Sequence, residues 1–438
     1  MSATSHREEA IRWAVRLAIC LGIAGAVACT PDLTGDPGDP GTADAGDVGD
    51  DPDGDVREED VRESDTGGAN AGEIDADLDA DLDATDTADA SSPEPSWDRF
   101  QAFFNEPEGG ENDPLLEDVL IDLVGMAEPG SAIRGAFYTW TRTGVAQAFV
   151  DAYEAGVDVR LVVGNNNFDS ETGVPNGAME ILLDGLGDRL TVCSEGQSSG
   201  GCIGDGIQHN KFALFSELGD GSSQVVFQSS ANPTSPQRRS FNNAVVIRGD
   251  GGLYDAYLGY WEDLREQEED LDYYRSFVGD HGTKAYFFPR ASGDTIVNVL
   301  NNITCDDDSE IHVGMARFTN PRVAIAEALA QRAAEGCEVS VLVRESFTST
   351  SVIDALTAPG VFLGVFPDGA THAVHSKYLL VRAPYGSNER RQHLVWTGSH
   401  NYTGPALRRH DETLLKIEDE ELYSAFLSNW EMMRDRLD

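Results

Sequence analysis

Gln208-His209-Asn210-Lys211-Phe212-Ala213-Leu214-Phe215 and, farther along, Val374-His375-Ser376-Lys377-Tyr378-Leu379-Leu380-Val381 decide how this 438-residue chain is read. Each stretch sets a His and a Lys two residues apart on an apolar run of the kind that forms strands. Side chains two apart on a strand share a face, so each run offers an imidazole and an ammonium to one side of a sheet. The chain holds four lysines, Lys211, Lys284, Lys377 and Lys416, and otherwise relies on Arg. Half of its lysines therefore belong to these two runs.

The segments around the two runs repeat in the same order. Before the first, a helix is expected over 114–127, a strand over 131–140, a helix over 144–156 and a strand over 157–163. A helix at 178–186 and a strand at 190–193 complete that lead-in. After the first run come strands at 224–229 and 243–248 and a helix at 253–268. The second run has helices at 295–303, 321–336 and 352–356 before it, alternating with strands at 310–318, 338–343 and 361–366. Strands at 393–397 and 413–417 and a helix at 420–434 follow it. Alternating β and α segments argue for an α/β sandwich with a largely parallel sheet, present twice. Ser229-Ser230-Ala231-Asn232-Pro233 aligns with Gly398-Ser399-His400-Asn401-Tyr402 at an offset of 169, and the same offset pairs Asn243 with Glu412. A period this long reads as a duplicated domain, not a solenoid array.

Two such halves could assemble two His, two Lys, two Asn, two Ser and one carboxylate. Ammonium and amide donors suit the equatorial oxygens of a phosphate. One imidazole can attack phosphorus while the other protonates the departing oxygen. The lysine pair supplies the positive charge a divalent cation would otherwise bring, so neither metal nor cofactor is expected. A lone His on an apolar strand is more often structural than catalytic, and His312 and His393 are read that way.

At these residues the chain resembles the phospholipase D superfamily over roughly 115–435. The pattern is His-x-Lys followed by Gly-Ser-x-Asn, twice. His375, Lys377, Ser399 and Asn401 fit it closely; His209, Lys211, Ser230 and Asn232 fit it with Ser229 in place of Gly. The family's Asp, five residues after each Lys, is replaced by Ser216 and Arg382. The resemblance implies two tandem α/β sandwich domains related by a pseudo-two-fold axis, with mixed sheets flanked by helices. It also implies catalytic roles for His209, Lys211, Asn232, His375, Lys377, Asn401 and Glu412, and substrate-binding roles for Ser230, Ser399 and Asn243. Carried over from two-domain relatives, Glu412 would orient His209 as nucleophile, and Asn243 would sit behind His375 as general acid.

The rest of the chain describes an address. Arg7, Arg12 and Arg16 precede an apolar run from Leu17 to Ala28, too short to span a bilayer. Ala26-Val27-Ala28-Cys29 resembles a bacterial lipobox, with Cys29 the lipidated residue; cleavage beside Ala28 is the alternative. Thr30 in place of Asp leans toward an outer membrane. Residues 30–98 read as an acidic disordered linker with too little apolar surface to offset chain entropy. Domains are expected at 99–280 and 281–438. Outside the signal, Cys193 and Cys202 form a natural local disulfide, leaving Cys305 and Cys337 as the second pair.

The formal charge is −46, of which residues 99–438 carry −25 (26 basic against 51 acidic residues). That balance disfavours a polyanion partner, since nucleic-acid binders usually present a basic face. With export and an anchor, it favours hydrolysis of a phospholipid headgroup ester by a monomer at the cell envelope. A nuclease of the same superfamily is the second reading, and a non-catalytic surface binder the third.

Overall fold

The computed structural model describes residues 97–437, apart from 194–199 and 371. The expected export signal, Cys29 and nearly all of the acidic linker lie outside the described residues. Two sheets carry the chain. The first contains β1 (Phe100–Phe104), β2 (Ala132–Phe137), β3 (Asp158–Val163), β4 (Leu190–Val192), β5 (Lys211–Glu217), β6 (Ser223–Ser229) and β7 (Asn243–Ile247), in the order β1-β7-β6-β5-β2-β3-β4. The second contains β8 (Arg275–Val278), β9 (Thr283–Phe288), β10 (Glu310–Met315), β11 (Glu338–Arg344), β12 (Val361–Phe366), β13 (Lys377–Tyr385), β14 (Asn388–Gly398) and β15 (Glu412–Glu418). Its order is β8-β9-β15-β14-β13-β10-β11-β12, so β9 to β15 take the places of β1 to β7, with β8 added at one edge. The β8–β9 hairpin straddles the expected 280/281 boundary, and both of its strands belong to the second sheet.

Both sheets are mixed. Only β2-β3-β4 and β10-β11-β12 run parallel; the other neighbours are antiparallel. The expectation of a largely parallel sheet is corrected here. β5 turns into β6 across 218–222 and β13 into β14 across 386–387, connections far too short for the crossover a parallel pair requires.

Helices cover the sheets in layers. On the outer face of the first sheet lie α1 (Leu115–Gly125), α2 (Thr143–Glu154) and α3 (Gly177–Leu186); α5 (Thr295–Asn301), α6 (Val323–Ala334) and α7 (Thr350–Leu356) cover the second sheet's outer face. Between the sheets sit α4 (Gly251–Glu266) and α9 (Glu420–Arg434), in an apolar cluster that takes Phe212 and Leu214 from one sheet and Tyr378 and Leu380 from the other. Each central helix anchors through a buried Trp. Trp261 Nε1 donates to the carbonyl of Gly135, and Trp430 Nε1 to that of Val313. Asp250 caps α4 through the amide of Leu253 and also accepts from the amide of Asp280 and the hydroxyl of Thr283. One carboxylate thus starts the helix and ties the second sheet's hairpin to it. Cys193 is bonded to Cys202 and Cys305 to Cys337.

Candidate active site

The two His-x-Lys segments meet where the halves join. Gln208 bridges Asp411 in parallel, and Val374 bridges Phe241 in the same way. The amide of His209 donates to the carbonyl of Asp411 (3.0 Å), while the amides of His375 and Ser376 donate to that of Phe241 (2.9 and 2.8 Å). The ladders of β5 and β13 begin at the lysines, not at the histidines. Each His is therefore held by the opposite half, one step ahead of its own strand. Lys211 Nζ folds back onto the carbonyl of His209 (2.6 Å) and Lys377 Nζ onto that of His375 (2.8 Å). His209, Lys211, His375 and Lys377 are all at most 3% exposed. In such a water-poor setting, fixed donors act on charge far more strongly than in solution.

His209 Nδ1 lies 2.9 Å from Glu412 Oε1, and Ser399 Oγ donates to Glu412 Oε2 at 2.5 Å. Burial alone would raise the Glu412 carboxyl, but the charge of His209 and the hydrogen bonds from His209 and His410 hold it well below the usual carboxylate range. An ionised carboxylate accepts, so Nδ1 carries a proton, and in the neutral, nucleophilic form of the ring the lone pair is on Nε2. Tyr138 packs edge-on against the His209 ring and lies under Lys211 Nζ.

Behind His375 stands Asn242, not the expected Asn243. His375 Nδ1 is 2.8 Å from Asn242 Oδ1, and Ser230 Oγ donates to the same oxygen at 3.0 Å. The Asn242 amide nitrogen donates to the carbonyl of Gln237 (3.0 Å), which turns Oδ1 toward the imidazole. Asn243 Nδ2 instead donates to Thr397 Oγ1 across the junction (2.7 Å). The correction has a simple cause. Asn401 to Glu412 spans eleven residues and contains α8 (Gly404–Arg408), whereas Asn232 to Asn242 spans ten around a single 3-10 turn, Pro236–Arg239. The offset slips from 169 to 170 in that loop, and the amide of Ser230 on the Asn243 carbonyl matches that of Ser399 on the Thr413 carbonyl.

Ser230 and Ser399 are fully buried and point at the groups that support the histidines. Their expected contact with substrate is corrected to a positioning one. Asn232 and Asn401 follow β6 and β14, the neighbours of the lysine strands, and so reach the same end of each sheet. Gly398 has φ +149°, and a Cβ there would meet the Thr413 carbonyl at 2.2 Å, which accounts for Gly in the second motif. Its counterpart Ser229 uses its hydroxyl to accept from the Ala231 amide. The replaced Asp positions lie at the far ends of the lysine strands. Ser216 Oγ accepts from the Ala132 amide, and Arg382 pairs with Glu310, which also meets His312, at the opposite end of β13 from His375.

Three further groups complete the site, of which sequence reasoning misses Gln237 and Asp411 and places His410 only beside the motif. Gln237 Nε2 lies 3.3 Å from His375 Nε2. His410 Nδ1 is 3.9 Å from Glu412 Oε1. Asp411, fully buried, accepts from the amides of Cys202 (2.6 Å), Ile203 (3.2 Å) and Gly204 (2.6 Å), clamping the disulfide loop beside Glu412. Burial pushes the Asp411 carboxyl up to about 7, against the opposing pull of those amides. A carboxyl raised in the folded state favours folding below its unfolded value near 4, and that contribution fades as pH rises through 7. Between pH 4 and 7 the melting temperature of the wild type is expected to fall relative to that of Asp411→Asn; parallel curves would contradict the shift. His400, beside Asn401, is pushed down to about 3 by burial and by the charge of Arg322. Near neutral pH it is an uncharged ring packed on Phe288.

No curated protein sequence matches the chain. Residues 301–434 match the family described as cardiolipin synthase, PLD-like domain. Among solved structures, phosphatidylserine synthase of Haemophilus influenzae Rd KW20 superposes with a TM-score of 0.55 at 13% identity, over 77% of this chain and 86% of that one. Polyphosphate kinase of Porphyromonas gingivalis gives 0.51 at 11% identity, over 76% of this chain. The match spans half the length of the kinase. At such identities the likeness carries the fold. The family match covers residues 301–434, and within the fold the two His-Lys-Asn sets meet where the halves join.

Proposed function

We propose that the protein is a phosphodiesterase that hydrolyses a phospholipid headgroup ester through a phosphohistidine intermediate. The observation that carries this reading is the crossed support of the two imidazoles: His209 is backed by a carboxylate and His375 by an amide, each from the opposite half. Lys211, Lys377, Asn232 and Asn401 would bind the phosphate oxygens. His209 Nε2 forms the P–N bond as the bond to the departing alcohol breaks, and the electron pair leaves on oxygen. His375, in its protonated form, gives that oxygen its proton. Water then attacks phosphorus while His375 takes a proton from it, and the P–N bond breaks. Glu412 suits the nucleophile because phosphorylation leaves the His209 ring cationic, a charge the carboxylate offsets.

In the resting site the Gln237 amide donates to His375 Nε2, since its oxygen already accepts from Asn242. Entry of an anionic substrate would have to displace that amide before His375 can act as an acid. We assign the chain to the cell envelope through lipidation at Cys29, with the acidic segment 30–98 as spacer and with duplicated phospholipase D-like domains over 99–280 and 281–438. The net charge of −25 on residues 99–438 favours lipid over nucleic acid.

The test is headgroup release set against plasmid nicking, using protein that lacks residues 1–98, with His209→Ala as control and EDTA in all assays. Headgroup release that EDTA spares supports the proposal. Nicking without headgroup release would make the protein a nuclease, and neither activity would make it a binding protein.

A further inference from the structure

The two short ladders that hold the histidines are alike in backbone and unlike in side chain. The Phe241 amide donates to the Ala373 carbonyl and the His375 amide to the Phe241 carbonyl; the Asp411 amide donates to the Ile207 carbonyl and the His209 amide to the Asp411 carbonyl. Phe241 and Asp411 are therefore matched positions, at the offset of 170 that also matches Asn242 with Glu412. Phe241 fills its place with a ring packed against Phe366 and His372, so the ladder itself needs no carboxylate. Asp411 is buried as deeply, and its two oxygens are taken by the three successive amides of Cys202, Ile203 and Gly204. Successive amides that converge on one carboxylate form a nest for an anion, and here the anion comes from the opposite half. The nest has little stiffness of its own. Four of the seven residues 200–206 are glycine, and ordering such a strip costs much chain entropy. A Cβ on Gly204 would collide with the carbonyl oxygen of Arg409, so the strip lies directly on 409–411. What ties it down is the bond from Cys202 to Cys193, whose amide donates to the Val163 carbonyl at the end of β3.

From this we infer that the Cys193–Cys202 disulfide sets the nucleophile: the chain becomes competent to attack phosphorus only once this bond has formed, and Asp411 is the positioning residue that carries the constraint to Glu412 and His209. The inference rests on the proposed function for the role of His209. The segment fixed by the nest holds His209 twice, its main chain through the Asp411 carbonyl and its ring through Glu412, the next residue. Without the bond the glycine strip gains freedom and its amides withdraw, which leaves a buried carboxylate without donors. Relief comes from moving 410–412, and that movement takes Glu412 away from Nδ1. Cys193 and Cys202 are 0% and 4% exposed, so oxidation has to precede docking of the strip. In that step the two thiols pass two electrons to a disulfide-bearing oxidant; a new sulfur–sulfur bond forms, the oxidant's own breaks, and its two sulfurs take up the two protons. The device therefore acts once, during folding. A chain that stays in a reducing compartment lacks a set nucleophile, and one that folds in an oxidising compartment has it.

The experiment compares the full chain with Cys193→Ala/Cys202→Ala, with Asp411→Leu and with the two combined, each well below its melting temperature. Cys305→Ala/Cys337→Ala is the control, because that disulfide belongs to the outer cluster of the second sheet. Loss of the Cys193–Cys202 bond is expected to lower kcat on a phosphatidyl ester by about tenfold or more, with KM within about threefold. Asp411→Leu should lose as much with its disulfide intact. The combined variant should lose no more than about twofold beyond the larger single loss, since bond and carboxylate act as one unit. The control should keep kcat within about threefold. Undiminished kcat without the Cys193–Cys202 bond, additive losses, or an equal loss in the control overturns the inference. The downfield proton resonance of His209 Nδ1–H, identified by its absence from His209→Ala, decides the matter even if no ester is cleaved. A resonance present in wild type and control but lost from Cys193→Ala/Cys202→Ala and from Asp411→Leu supports the device. One that is unchanged throughout, absent from the wild type or lost from the control refutes it. Lack of turnover with the resonance behaving as expected would strike the proposed reaction alone.

Discussion

His209→Ala is expected to lower kcat/KM by about 10⁴-fold or more on every ester tested, whatever its leaving group. His209 Nδ1 is backed by the buried, ionised Glu412 carboxylate, which leaves Nε2 to attack phosphorus. His375→Ala should behave differently. A nitrophenyl leaving group needs no proton, so a nitrophenyl diester should retain formation of the covalent intermediate, while an alkyl ester loses about 10²–10⁴-fold. The measurement is single-turnover release of nitrophenol against release of an alkyl alcohol, for both variants. If His375→Ala abolishes the nitrophenol burst and His209→Ala preserves it, the two roles are exchanged.

The second large effect concerns the groups behind the imidazoles. Glu412→Gln keeps the shape of the site but removes its buried charge and leaves Ser399 donating to an amide. It is expected to reduce kcat by about 10²–10⁴-fold with a small change in KM, because the carboxylate acts mainly when the His209 ring becomes cationic. Asn242→Ala, on the acid side, should cost about 10–100-fold, since a neutral acceptor orients His375 without stabilising its charge. The pH dependence of stability separates the pair as well. Glu412 is held below its ordinary value, so its contribution is present above about pH 4.5 and is lost as the solution is acidified below it. Wild type and Glu412→Gln should therefore converge in melting temperature at low pH and diverge at neutral pH. Equal kcat losses for Glu412→Gln and Asn242→Ala would mean that the carboxylate acts only as an orienting acceptor.

Much of this arrangement was legible in the residues, because short-range chemistry and long-range repetition pointed the same way. The expected His-x-Lys strands form, though from the lysines onward with each His ahead of the ladder, and 361–366 and 420–434 appear with the expected ends. What periodicity could not supply was partner choice. Strand direction follows from connection length, and the turns at 218–222 and 386–387 overrode the alternating pattern. β1 and the β8–β9 hairpin add edge strands to each sheet through pairing with β7 and β15, contacts that no local pattern announces. The Asn243 assignment failed for a narrower reason. A constant offset was carried across a loop where one half is a residue shorter, and the adjacent Asn242 offered the same chemistry one step earlier. Gln237 and Asp411 were invisible because their importance comes from backbone groups brought to them by folding: the Gln237 carbonyl that orients Asn242, and the three amides that hold Asp411.

The central claim, that one imidazole of a crossed pair takes the phosphoryl group, is most directly tested by acid-free quenching of a single turnover. The diester is labelled at phosphorus, and the modified peptide is identified by mass spectrometry. The label is expected on the peptide containing His209, to be absent in His209→Ala and to accumulate when the hydrolytic step is slowed. Label on the peptide containing His375, or turnover with no covalent phosphoprotein at any time, would contradict the account.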